Sequence, residues 1–74
     1  MSGRTWNYRI VGSEEKGYQI YEVYYDADTV VASSARPMYH WGETVDDLLY
    51  DMGLMALAFG KPVLAPEEVP WLYD

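Results

Sequence analysis

The sequence predicts an α+β fold. A three-stranded antiparallel meander carries one amphipathic helix on one face (βββα), and an extended C-terminal tail follows. Residues 6–36 contain three stretches rich in β-branched and aromatic side chains, separated by short polar turns. Residues 45–59 carry apolar side chains at helical spacing. Because the chain has 74 residues, we expect a single domain over residues 1–74.

The first two strands are predicted at residues 6–11 and 18–26. In WNYRIV, Trp6, Tyr8 and Ile10 share one face with a period of two, which is typical of a half-buried strand. The polar loop GSEEKG that follows predicts a hairpin turn. YQIYEVYYD carries apolar or aromatic side chains on both faces, which indicates a central strand.

A weaker third strand, VVASSA, is predicted within residues 29–36, after the turn DADT. Pro37 ends this strand or confines it to an edge, because proline donates no ladder hydrogen bond. The tail, residues 61–74, is rich in proline and is therefore expected to be extended, with a short strand at residues 63–64.

The helix is predicted at residues 45–59. Thr44 is a favourable N-cap, and Asp47 stands at the capping-box position three residues later. Gly60 is the expected C-terminal stop. One apolar stripe recurs at helical spacing and is expected to cover the sheet. Its members are Val45, Leu48, Leu49, Met52, Met55, Ala56 and Phe59.

The helix has a second apolar face, which the sequence does not explain by itself. Leu54, Leu57 and Ala58 lie away from the predicted core stripe. Exposed leucines on a helix need a cover. Three covers are possible: the tail folded back, a second copy of the chain in a homodimer through Leu54 and Leu57, or a different protein. Gly53, in the middle of the helix, favours close approach by another backbone or by an aromatic ring; the alternative is that the glycine is simply tolerated there.

Charge is distributed unevenly along the chain. The net charge is −7; residues 1–42 contribute −1 (five acids, four bases) and residues 43–74 contribute −6 (seven acids, one base). Such a field repels nucleic-acid phosphates, so direct binding to DNA or RNA is not expected, whereas a basic protein is attracted. The alternative is that the acidity only keeps an aromatic-rich protein soluble.

Exposed aromatic side chains edged with carboxylates predict the partner-binding site. If the helix covers one face of the sheet, the other face retains several aromatic rings beside acidic residues, and the strand register decides which. The candidates are Trp6, Tyr8, Tyr21, Tyr24 and Tyr25. The alternative is that these tyrosines are half-buried sheet residues with solvated hydroxyls. Tyrosine is enriched at interface hot spots, and arginine stacks on its ring while pairing with acids. The predicted partner-binding residues are Glu22, Tyr24, Tyr25, Asp26, Asp28, Asp46, Asp47, Asp51 and Leu54.

No constellation of residues predicts catalysis or a cofactor. His40 is the only histidine, and Ser33 and Ser34 lie on an ordinary strand without a nucleophile elbow. Asp26 and Asp28 fit a turn better than a calcium loop, which needs more oxygen ligands and a glycine at set spacing. We therefore expect a protein that is not an enzyme and that binds no metal or cofactor.

The sequence also predicts where the protein acts. Its N-terminus, MSGRTWNYR, has no apolar signal region, and no apolar run approaches the ~20 residues of a membrane span. The chain has no cysteine, which is compatible with a reducing compartment. A cytoplasmic protein of a bacterium or of a phage-infected host is expected, without membrane contact.

The run GETVDDLLYDMGLMAL resembles the helix entry of HicB-type antitoxin domains, in which a Gly-acid-Thr step leads from the third strand into an amphipathic helix. The resemblance covers residues 8–59. It is carried by Gly42, Glu43, Thr44, Val45, Asp46, Asp47 and Leu49. It implies a partial ribonuclease-H-like fold without catalytic residues, which binds and silences a small basic toxin ribonuclease. The chain departs from the family at RPMYHWG, where the family carries a Pro-Gly step.

In size, acidity and aromatic content the chain is also similar to the anti-CRISPR inhibitors that phages encode. In both classes carboxylates occupy the site on a basic protein that nucleic-acid phosphates would take. The sequence therefore predicts an acidic protein-binding module that blocks a basic nucleic-acid-handling protein such as a nuclease or toxin. A homodimeric structural protein is the alternative.

Overall fold

A computed structural model describes residues 3–73 and confirms the predicted fold class. The strands pair as an antiparallel sheet in the order β1-β2-β3. The elements are β1 (Arg4–Ser13), β2 (Gly17–Asp26), β3 (Thr29–Ser33), α1 (Val45–Ala56) and short 3₁₀ helices at Leu57–Gly60, Pro66–Glu68 and Pro70–Leu72.

The strand register assigns each side chain to a face of the sheet. Trp6 lies opposite Tyr24, and Tyr8 lies opposite Glu22, so all four share the face beneath the helix. β3 ends at Ser33, earlier than the predicted residue 36. The strand ends there because the Glu22 backbone N–H donates to the Ser34 side-chain Oγ, at 3.2 Å. The hydroxyl takes the place of the backbone carbonyl that would accept this bond in a regular antiparallel ladder.

The start of α1 follows the prediction. Thr44 is the N-cap, and its Oγ1 accepts a hydrogen bond from the Asp47 backbone N–H at 3.0 Å. Gly42 lies so close to the first turn that a Cβ there would stand 2.3 Å from the Leu48 nitrogen. The α-helix ends at Ala56, not at residue 59, because its last turn tightens into a 3₁₀ helix that ends at Gly60.

The predicted rotation of the helix is wrong. Met55 and Ala58 are buried against Tyr8, with Leu54 packed beside them. The predicted stripe instead points largely outward: Val45, Leu49, Met52 and Phe59 are exposed. The helix is apolar on two sides, so periodicity could not select one. Two contacts with the sheet set its rotation. Asp51 accepts a hydrogen bond from the Tyr8 hydroxyl, and Ala58 is small enough to pack closely against Tyr8.

The tail covers the second face of the sheet, which the sequence analysis left open to solvent. Leu64 pairs with β1 in a parallel bridge: the Gly12 N–H donates to the Leu64 carbonyl at 3.0 Å, and the Leu64 N–H donates to the Ile10 carbonyl at 2.9 Å. From there the chain crosses the sheet and buries Val69. The resulting core consists of Val11, Tyr21, Val23, Leu64 and Val69.

Candidate functional site

A groove opens between the sheet and the flank of the helix. Its volume is about 480 Å³. Aromatic rings of β1 form one wall, and the helix forms the other. We call it the helix–sheet groove; it is lined by Trp6, Asn7, Tyr8, Tyr50, Leu54, Leu57 and Lys61.

Beside the groove, β1 and β2 present an aromatic and acidic block. The Trp6 and Tyr8 rings meet edge to face, with centroids 5.3 Å apart. On β2, the Tyr24 hydroxyl donates to Glu22 Oε1 at 2.5 Å. This hydrogen bond is the largest of the effects that raise the pKa of Tyr24. The block therefore combines three rings, those of Trp6, Tyr8 and Tyr24, with the Glu22 carboxylate and its charge-assisted hydrogen bond on one surface.

Asp51 joins the helix to this block. Its Oδ1 accepts a hydrogen bond from the Tyr8 hydroxyl at 3.2 Å, and its Oδ2 accepts one from the Trp41 backbone N–H at 3.2 Å. Burial, followed by the Asp51 charge, raises the pKa of Tyr8 to about 12. Asp51 is therefore held in place by both oxygens, with Glu22 on the strand opposite Tyr8.

The acidic residues of the first helical turn extend the negative surface. Asp46 and Asp47 are exposed, as is Glu43 just before the helix. Asp47 precedes Asp51 by four residues, so the two lie on the same side of the helix. Acidic side chains are stabilised at this end by the helix dipole. Of the predicted site residues, Glu22, Tyr24, Asp47 and Asp51 thus gather on the helix-covered side.

A second group of predicted residues lies on the opposite face or at the β2–β3 hairpin. The Tyr25 hydroxyl donates to Asn7 Oδ1 at 2.8 Å and accepts from Arg9 Nη1 at 2.7 Å. Asp28 lines a small groove together with Arg9 and Lys61. Asp26 is the last residue of β2. Two cations at this groove make it a poor match for a basic partner.

Leu54 is not the exposed anchor that the sequence analysis expected. It is half-buried and packs against the cluster of Tyr8, Met55 and Ala58. Leu57 remains exposed. The homodimer expected through both leucines therefore loses one of its two contacts.

Sequence reasoning did not assign Trp6, Tyr8, Tyr50 or Trp41 to the site. Trp6 and Tyr8 alternate correctly in β1, but only the strand register places them beside Glu22 and Tyr24. Trp41 is brought in by its backbone bond to Asp51. Its ring is exposed.

The two serines considered as possible nucleophiles make hydrogen bonds within the fold. Ser33 Oγ accepts a hydrogen bond from Trp71 Nε1 at 2.8 Å, and Ser34 Oγ donates to the Arg36 carbonyl at 3.0 Å. His40 is exposed. Within residues 3–73 no group of three or more His, Cys, Asp or Glu side chains is placed to hold a metal ion. In the same range no helix has the length and apolarity to cross a membrane.

Comparison of the chain with known protein families, with characterised proteins and with solved structures found no match in any of the three.

Proposed function

We propose that the protein is a non-enzymatic, acidic protein-binding module that blocks a basic nucleic-acid-handling protein such as a nuclease or toxin. The observation that carries the proposal is the gathering of Glu22, Tyr24, Asp47 and Asp51 beside the helix–sheet groove. The proposed place of action is the cytoplasm of a bacterium or of a phage-infected host.

Charge supports the proposed partner. Residues 43–74 contribute −6 of the net charge of −7, from seven acids and one base. The carboxylates of the first helical turn are exposed and so contribute to the external field. A negative surface accelerates association with a basic protein and repels phosphate backbones. The surface would compete with nucleic acid for the same cations.

The chemistry of the groove supports recognition of arginine. The Trp6 ring, about half exposed, offers a face for a guanidinium group. The neighbouring carboxylates of Glu22 and Asp51 accept charge-assisted hydrogen bonds. Asp51 is held by two hydrogen bonds, so an incoming cation meets a carboxylate that is already positioned.

The biological role follows from two resemblances, and both are part of the proposal. The helix entry resembles that of HicB-type antitoxin domains, which implies a basic toxin ribonuclease as the target. The size, acidity and aromatic surface are similar to those of phage anti-CRISPR inhibitors, which implies a CRISPR nuclease complex. In either role the protein mimics nucleic acid with carboxylates.

The proposal is tested by capture followed by reconstitution. Tagged protein is used to isolate partners from the cells that encode it, with washes of rising salt. The captured protein is then purified, and its nuclease or nucleic-acid-binding activity is measured with and without the acidic protein. We expect stoichiometric inhibition that weakens as ionic strength rises.

A matched pair of variants assigns the effect to the site. Glu22→Gln/Asp47→Asn removes two negative charges beside the groove, and Glu14→Gln/Glu15→Gln removes two from the exposed β1–β2 turn. The first should slow association by roughly tenfold at low salt, and the second should change it little. Equal effects would show that only net charge matters. Recovery of no basic nucleic-acid-handling protein would refute the proposed function.

A further inference from the structure

The outward side of the helix is a continuous apolar surface with no cover in the described residues. Val45 is 81% exposed, Leu49 68%, Met52 44% and Phe59 72%. Helical spacing places Gly53 and Ala56 among them, opposite the buried Met55 and Ala58. We call this surface the outer helix face; it consists of Val45, Leu49, Met52, Gly53 and Ala56, with Phe59 at its edge. There Phe59, which belongs to the final 3₁₀ turn, also lines an apolar groove with Ile10, Ile20 and Val63. Apolar patches of this kind mark interaction sites.

The chain exposes more surface than a compact monomer of its mass. The chain exposes 5476 Å², whereas a monomer of its 8.5 kDa mass is expected to expose roughly 4,700 Å². The excess is about 800 Å²; the outer helix face contributes to it together with exposed side chains elsewhere, such as Tyr39 and Trp41. The radius of gyration, 13.0 Å, likewise exceeds the ~11 Å expected for a compact chain of this length.

The centre of the outer helix face is shaped for a second helix. A Cβ added to Gly53 would meet nothing within 4 Å, so the glycine relieves no crowding inside the chain. Glycine in a helix interior costs about 1 kcal/mol relative to alanine. With Ala56 it lowers the middle of the surface, between Leu49 and Met52 on the N-terminal side and Phe59 on the C-terminal side. A neighbouring helix can therefore approach closely and pack between the larger side chains.

The charges at the two ends of the surface identify the occupant. Asp46 stands seven residues before Gly53, and Lys61 stands eight residues after it. Both lie toward the flank that carries Tyr50 and Leu57, since Lys61 lines the groove with these two residues and Asp46 lies four residues before Tyr50. In an antiparallel pair of identical helices crossing at Gly53, Asp46 of each copy meets Lys61 of the other. A parallel pair would bring the acidic helix starts together.

We propose that the outer helix face binds a second copy of this chain, as an antiparallel two-fold dimer centred on Gly53. The symmetry makes one patch serve both partners. The core of the interface is apolar, and the Asp46–Lys61 pairs at its rim set the direction of the helices. The aromatic and acidic block of Trp6, Glu22 and Tyr24 lies on the sheet and stays free for another partner.

Sedimentation equilibrium tests the dimer, using the purified full chain. At roughly 100 μM protein, where interfaces of this size are occupied, we expect the mass of two chains. Leu49→Asp should weaken the dimer at least ~100-fold, because it buries a charge in the interface. Val31→Asp, at an exposed valine of β3, should leave the mass unchanged. A wild-type chain that remains monomeric at this concentration overturns the proposal.

A charge exchange tests the antiparallel arrangement. Asp46→Lys and Lys61→Asp should each weaken the dimer, by roughly tenfold. The double variant restores the pairs with the wild-type net charge and should recover most of the affinity. Dimerisation that is indifferent to both single changes, or a double variant no better than the singles, contradicts the proposed register.

A cysteine gives a second readout that does not depend on affinity. The described chain contains no cysteine, so Gly53→Cys introduces a unique thiol at the two-fold axis. Oxidation should produce a disulfide-linked dimer, while Glu15→Cys on the β1–β2 turn should remain monomeric. Equal cross-linking of both variants would contradict the centre at Gly53. This inference is independent of the proposed function, since a dimer needs no basic partner and inhibition needs no dimer.

Discussion

The two faces of the sheet are covered by different kinds of structure. On one face the tail, without regular secondary structure beyond two short 3₁₀ helices, closes a core in which Val11, Val23 and Val69 are at most 1% exposed. On the other face the regular helix buries only Met55 fully and its final 3₁₀ turn only Ala58, and the helix turns Val45 and much of its apolar surface outward.

The difference shows that a segment with regular secondary structure does not necessarily bury more apolar surface than an irregular one. The tail has little regular secondary structure, but its prolines restrict the conformations of the unfolded chain. Its apolar side chains, Leu64 and Val69, both enter the core on that face of the sheet. The helix forms regular hydrogen bonds and leaves its outer apolar residues for other contacts. We infer that the tail-covered face mainly stabilises the fold and that the helix-covered side serves binding.

The largest expected effect tests the tail-covered face. Gly12→Ala should destabilise the protein by about 3–5 kcal/mol, a large share of the ~4–11 kcal/mol expected for a domain of this length. A Cβ at Gly12 would stand 1.9 Å from the Gly17 carbonyl oxygen, and Gly12 also donates to Leu64 in the tail. Urea denaturation measures the loss.

Gly17→Ala is the control for this change. Gly17 also has a positive φ, 82°, but a Cβ there meets nothing within 4 Å. It should cost only about 1–2 kcal/mol, the strain of a left-handed residue. Equal costs for the two substitutions would show that Gly12 has no special contact with the neighbouring strand.

Two methionines of the helix test its rotation. Met55→Ala should cost about 2–4 kcal/mol, because Met55 is 1% exposed and its loss leaves a cavity. Met52→Ala, less than one turn away and 44% exposed, should cost less than about 1 kcal/mol. Urea midpoints at a protein concentration that keeps the chain monomeric give both values. Large and equal costs would restore the orientation that the sequence predicts, in which both methionines face the sheet.

The helix-covered face should also make stability depend on alkaline pH. The pKa of Tyr8 is raised from 10.0 to about 12 by burial and by Asp51. The folded state therefore keeps the phenol proton that the unfolded state releases, and stability is lost as the pH rises from 10 to 12. Tyr8→Phe should reduce this loss in urea titrations at successive pH values. Tyr18→Phe, at an exposed ring, should preserve it.

The smallest effect concerns the β2–β3 hairpin. Ala27 has a φ of 56°, a conformation that suits glycine better than alanine. Ala27→Gly relieves this strain but raises the conformational entropy of the unfolded chain. The net effect should be a stabilisation of about 0.5–1 kcal/mol. The same substitution at Ala32, within β3, should destabilise it by a similar amount. Thermal unfolding of the two variants should shift in opposite directions.

Much of the fold could be predicted from the sequence because its signals are local. Alternation and turn composition predicted the strands, and Thr44 and Gly60 marked the helix with its final 3₁₀ turn. The rotation of the helix could not be predicted, since apolar residues occupy both sides. The position of the tail depends on a long-range bridge between Val11 and Leu64, which no local pattern indicates.

The candidate site was predicted only in part, for the same reason. Residue type identified Glu22 and Tyr24, but the strand register was needed to place Trp6 and Tyr8 beside them. Asp51 was chosen as a free charge, and the structure gives both of its oxygens hydrogen-bond partners. Composition predicts which chemistry is available, whereas pairing between strands decides which residues act together.

Hydrogen exchange of the protein with and without its captured basic partner locates the binding surface. We expect binding to protect residues 4–8, 22–25 and 45–51, on the helix-covered side, and to leave the tail at residues 62–72 unchanged. Protection confined to the tail, with no change near the helix–sheet groove, would contradict this expectation.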